Sequence, residues 1–134
     1  MNFKQLCKQL EVKIQNSYEN GVTLEEAEKL AGEFLYAQMQ VSEELKKADL
    51  DSRLRKTGVK SIRAAIYLDI VQKNDKRPTE ANITAMIDSD QIVVGEQEAF
   101  DSAEVTRDEL ERYYDIFLNA HIYYRGVAKG NFNG

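Results

Sequence analysis

Residues 88–127, DSDQIVVGEQEAFDSAEVTRDELERYYDIFLNAHIYYRGV, contain no proline and read as one uninterrupted helix. From Ala103 its apolar or small positions are Ala103, Thr106, Leu110, Tyr113, Phe117, Ala120, Tyr124 and Val127, an alternation of three and four that makes a heptad seam. At about 1.5 Å per residue such a helix is roughly 60 Å long, and its seam needs a second helix to bury it.

That second helix lies upstream. Leu24, Ala27, Ala31, Phe34, Gln38, Val41, Leu45 and Ala48 repeat the same spacing, and Val59, Ile62, Ile66 and Ile70 resume an apolar face beyond the polar stretch Asp49 to Lys56. The pattern predicts a long helix over 23–73 that continues through Gly58 with local weakness; the alternative is a break at 57–58. Asn74 to Pro78 ends it, because proline disfavours helix in itself and in the residue before it. A short helix over 79–87 follows through Ile83, Met86 and Ile87, and Asp88, Ser89 and Asp90 offer cap residues for the last helix, over 89–128.

At the start of the chain, Phe3, Leu6, Cys7, Leu10 and Ile14 form one face of a helix over 2–20 that stops at Asn20-Gly21. Thr23-Leu24-Glu25-Glu26 then reads as a capping box for the next helix. The glycine- and asparagine-rich tail 129–134 is expected to fray. The expected fold is all-α: an elongated antiparallel hairpin or bundle of two long helices, with a shorter N-terminal helix and a short connecting helix, in one domain over 1–134.

Composition narrows the function classes. A net charge of −5 over 134 residues favours solubility and argues against a generic nucleic-acid binder. The single cysteine, Cys7, has no internal partner for a disulfide and fits a reducing compartment. The amphipathic N-terminus lacks the apolar run of a signal peptide, and nowhere do eighteen apolar residues run together, so the expected place is the cytoplasm, that of a bacterial host if the chain is phage-encoded, with no membrane partner.

Chemistry-bearing motifs are sparse. One histidine, His121, falls beside the seam and is expected to be a packed or surface residue, and there is no Cys/His cluster or glycine-rich phosphate loop after a strand. The carboxylates Asp88, Asp90, Glu96, Glu98 and Asp101 suit a helix N-terminus, and a metal site would need convergence with Glu25, Glu26 or Glu28. Tyr113, Tyr114, Tyr123 and Tyr124 serve packing and interfaces more readily than base stacking. No enzyme, cofactor or metal is therefore expected.

The one basic region is Lys46 to Arg63, where Lys46, Lys47, Arg53, Arg55, Lys56, Lys60 and Arg63 stand against Asp49 and Asp51. Arg53, Lys56, Lys60 and Arg63 are three and four apart and form one helical ridge, an arrangement that follows a phosphate backbone without reading bases. A solvated face balanced by salt bridges to the acidic last helix explains the same run without a ligand.

The order of these features resembles the recombination mediator proteins of T4-like bacteriophages, the UvsY type, over residues 41–129. The matching pieces are Lys60-Ser61-Ile62-Arg63 with Tyr67, then Ala85-Met86-Ile87-Asp88-Ser89-Asp90, then Tyr113-Tyr114 and Arg125. Members of that family are more basic overall and carry further chain past the last helix; more loosely, the chain also looks like small uncharacterised proteins of tailed phages. The resemblance implies a non-enzymatic accessory protein of DNA recombination or replication. Such a protein binds single-stranded DNA, displaces the single-strand binding protein and helps load a recombinase, acting as a homo-oligomer. Lys56, Lys60 and Arg63 are then the phosphate contacts, with Arg53 and Arg55 beside them and Tyr67 for stacking or support. The reading from another class is a helical structural, assembly or adaptor protein that pairs with itself or a partner, including a phage-encoded inhibitor of a host protein.

Overall fold

A computed structural model of the chain describes residues 2–130, and every regular element among them is an α-helix. The order is α1 (Phe3–Asn20), α2 (Leu24–Lys73), α3 (Glu80–Ser89) and α4 (Gln91–Ala128). The fold is all-α, with α2 and α4 as its two long helices. The chain divides into two compact units, Met1–Leu45 with Glu109–Gly134, and Lys46–Asp108, and both long helices run through the two. The tail expected to fray lies, from residue 131, outside the described residues.

Unit 1 is built from α1, the first half of α2 and the second half of α4. Asn2 caps α1 with a full capping box, accepting from the Gln5 amide at 2.8 Å while Gln5 returns a bond to the Asn2 amide. The helix stops at Gly21, whose φ of +77° only glycine adopts without strain, and whose N–H reaches the Ser17 carbonyl. The capping box expected at Thr23 forms by half: its hydroxyl accepts from the Glu26 amide at 3.1 Å, and the reciprocal bond, from the Thr23 amide to the Glu26 carboxylate, is not made.

The seams meet as their spacing requires. Ala27, Ala31, Phe34 and Val41 of α2, joined by Ala37, are buried against Tyr113, Phe117, Ala120 and Tyr124 of α4 and Cys7 and Leu10 of α1. Alanines on α2 bring the backbones close, and aromatic rings fill the space between them. Phe34 is the hub, its ring centroid 5.6 Å from those of both Phe117 and Tyr124. Leu24, expected on this seam, is the first residue of α2 and is 61% exposed. His121 is half-buried with Nδ1 2.9 Å from the Ala31 carbonyl, so that nitrogen donates and the ring ties α4 to α2.

Burial leaves two acids of this core reluctant to ionise. The Cys7 thiol is pushed up to about 11 by burial and then by the Glu11 and Glu109 carboxylates; the Tyr113 phenol is pushed up to about 12 by burial and then by Glu11. The folded chain thus keeps both protons at a pH where the unfolded chain releases them. Stability is unaffected by these groups below about pH 9 and falls as pH rises toward 11 and 12, at about 1.4 kcal/mol per unit for each group over its own window. Urea midpoints measured from pH 8 to 11 are expected to fall, and to fall less steeply in Cys7→Ala.

Unit 2 is built from the second half of α2, α3 and the first half of α4. Helix α2 is continuous through Gly58, in accord with the first of the two expectations. Its supports are local: Asp49 pairs with Arg53, Asp51 with Arg55 and Asp69 with Lys73, each acid four residues before its base, the favourable orientation in a helix. A Cβ at Gly58 would meet only Glu96 Oε2, at 3.9 Å. Gly58→Ala is therefore expected to stabilise the protein by about 1 kcal/mol, seen as a higher melting temperature by circular dichroism.

The apolar face of this half does not pause where the polar stretch stands. Ser52 is buried at 3% and continues the stripe from Ala48 to Val59 with a small side chain. Farther along, Ile62, Ile66 and Ile70 pack on Ile83 and Ile87 of α3 and Val93 of α4. Thr79 caps α3, accepting from the Asn82 amide. The last helix begins later than its pattern predicted. Helix α3 runs on to Ser89, and Asp90 is the joint, its amide bonded to the Ile87 carbonyl while its Oδ1 accepts from the amides of Ile92 and Val93. The kink there is what lets Val93 and Ile87 share one core.

Candidate nucleic-acid interface

Each expected contact residue lies on α2 within unit 2, where 3.6 residues per turn place Arg53, Lys56, Lys60, Arg63 and Tyr67 along one flank. The ridge is real as a line of side chains, and its members differ in what they touch. Arg53 Nη2 is 2.9 Å from Asp49, with its side chain 77% exposed. Arg63 Nη2 is 2.9 Å from Asp88 of α3. Lys56 and Lys60 are exposed and have no carboxylate or hydrogen-bond partner among the described residues.

Tyr67 is half-buried and belongs to a polar clamp. Its hydroxyl donates to Glu80 Oε1 at 3.1 Å and accepts from Arg77, which also pairs with Glu80. Its ring packs beside Ile83 and Ile87. Its contacts in the structure thus tie α2 to α3.

Arg55, expected beside the ridge, pairs with Asp51 at 3.2 Å and lines a shallow depression of about 330 Å³ with Ala48, Ala99, Ser102, Ala103 and Thr106. At 100° per residue, Arg55 lies about a third of a turn from the ridge, toward α4. The ridge does not occupy the side of α2 opposite α4. That side carries Leu50, Leu54, Thr57, Ser61, Ala64 and Leu68, again spaced four and three, with the three leucines 60%, 63% and 56% exposed. The ridge occupies the flank between this stripe and the core, where α3 reaches it. The leucine stripe was legible in the sequence as a second heptad pattern two residues out of step with the buried one; the charged residues between its members obscured it.

Among the described residues no three of His, Cys, Asp and Glu come together in a way that holds a metal ion. Glu25, Glu26 and Glu28 belong to unit 1, and Asp88, Asp90, Glu96, Glu98 and Asp101 to unit 2. Of the late tyrosines, Tyr113 and Tyr124 are core residues, 3% and 2% exposed, and Tyr123 is 51% exposed with its ring edge-on to Tyr124. Among the described residues no helix is long and apolar enough to cross a membrane.

Electrostatically, the flank offers two ammonium groups one turn apart that have no partner among the described residues, between two arginines held by Asp49 and Asp88. Exposed ion pairs contribute little, about 0–1 kcal/mol, so a phosphate can replace either carboxylate at small cost. No family model, curated protein or solved structure matches the chain.

Proposed function

We propose that this chain is a non-enzymatic accessory protein of DNA recombination or replication that binds single-stranded nucleic acid along the α2 flank. The observation that carries the reading is the pair Lys56 and Lys60, exposed and without a partner among the described residues of an acidic chain, with Arg53 and Arg63 continuing their line. Each contact is weak by itself, so useful affinity comes from repeating the flank in a homo-oligomer. A single-strand binding protein to be displaced and a recombinase to be loaded are the partners this reading proposes, in the cytoplasm of a bacterial host. The test is fluorescence anisotropy with a labelled thymidine oligonucleotide: binding at low salt that weakens steeply as salt rises supports the reading, and no binding at low salt overturns it.

A helical assembly or adaptor role is the second reading, and the exposed leucine stripe of α2 favours it. Five or six apolar or small positions at heptad spacing, left in water, are what a partner helix covers. The two readings are compatible, since the stripe and the lysines lie on different sides of the same helix.

A further inference from the structure

Two outward faces of unit 2 complement each other. The first is the leucine stripe of α2, Leu50 to Leu68, which has one charged edge, formed by Arg53 and Lys60, and one small, nearly neutral edge, at Gly58 and Ala65. The second is on α4, pointing away from Val93 and Ala103. It carries Val94, Glu98, Asp101, Val105 and Asp108 at spacings of four and three, with the valines 40% and 66% exposed. Asp101 and Asp108 of this line lean toward Glu104 and make that edge acidic, with Glu104 and Asp108 both paired to Arg107 of the same helix; the other edge is small, at Gly95 and Ser102. Glu98 has no partner among the described residues, and Asp101 is held only by Gln97.

We propose that the leucine stripe of α2 docks on the acidic valine face of α4 in a second copy of this chain, the two helices antiparallel. The orientation follows from the edges. On both helices the charged edge lies on the same rotational side of the apolar line, and same-side edges meet only when two helices run in opposite directions. Antiparallel docking therefore sets Arg53 and Lys60 against Asp101, Glu104 and Asp108, and the small edges against each other. A parallel pairing would set charge against glycine and alanine. Pairing two leucine stripes antiparallel about their centre would set Lys60 against its own copy.

Because α2 and α4 are already antiparallel within unit 2, an antiparallel contact between copies repeats the same orientation from one copy to the next. The contact is heterologous and leaves a pair of copies with one unused face of each kind, the stripe on one copy and the valine face on the other, so assembly passes beyond two copies. The inference deepens the self-association in the reading above and rests on that part alone, not on nucleic acid.

The experiment is multi-angle light scattering of the whole protein, without nucleic acid, over a hundredfold range of concentration. The wild type is expected to exceed twice the 15.3 kDa chain mass at the upper end. Leu54→Glu and Val105→Lys, both at exposed positions and checked for unchanged helicity, are each expected to remain monomeric. An equimolar mixture of the two is expected to give a 1:1 dimer, because each variant keeps the face the other has lost. A wild type that stays monomeric, either variant that still assembles, or a mixture that gives no dimer overturns the proposal. Loss of oligonucleotide binding with assembly intact would instead remove the nucleic-acid reading and leave this one standing.

Discussion

Phe34→Ala is expected to be the most damaging single substitution, at about 3–5 kcal/mol, a large part of the stability of a domain this size. The ring is fully buried and contacts both Phe117 and Tyr124, so its removal costs its own transfer free energy and leaves a cavity that two other rings border. Collapse into that cavity is hindered. Tyr113 packs tilted against Phe117 with centroids 5.6 Å apart, and Tyr123 stands edge-on to Tyr124, so neither neighbour moves alone. Phe34→Leu, which keeps most of the volume, should cost clearly less. Urea unfolding followed by circular dichroism measures both; equal losses, or a Phe34→Ala protein within about 1 kcal/mol of wild type, would show that this ring is not the hub.

The core around Phe34 was legible because its two seams obey one rule. A residue such as Phe117 or Ala31 falls at heptad spacing on a long, proline-free helix, and such a position has nowhere to go except against the other seam. The parts that were not legible fail for identifiable reasons. Ser52 looks like a gap in an apolar stripe, yet a small hydroxyl residue fits where two helices carrying Ala48, Ala99 and Ala103 approach closely. Asp88, Ser89 and Asp90 are all good caps, and only the need to turn Val93 onto Ile83 and Ile87 selects Asp90. The basic ridge was legible as a line, since spacing fixes which side chains share a flank. Which of its cations stay free was not, because Asp88 and Glu80 reach Arg63 and Tyr67 from α3, 25 and 13 residues away.

That division among the cations sets the second large effect. The double substitution Lys56→Glu/Lys60→Glu is expected to weaken oligonucleotide binding by at least about tenfold at low salt, and to make the dependence of log K on log salt shallower by about 1.4, the share of two phosphate contacts on a single strand. The slope matters more than the affinity. Shifting the net charge of an acidic protein by −4 weakens its binding of any polyanion at a distance, whereas removing contacts changes how many counterions are released. Lys8→Glu/Lys29→Glu makes the same change of net charge at exposed positions in unit 1 and serves as the control, expected to shift affinity no more than about twofold and to leave the slope unchanged. Arg63→Gln should fall between the two, since its guanidinium must leave Asp88 before it meets a phosphate, and Asp88→Asn should strengthen binding by freeing it. If both double variants weaken binding alike and neither alters the slope, the attraction is one of overall charge and the α2 flank is not where the strand lies.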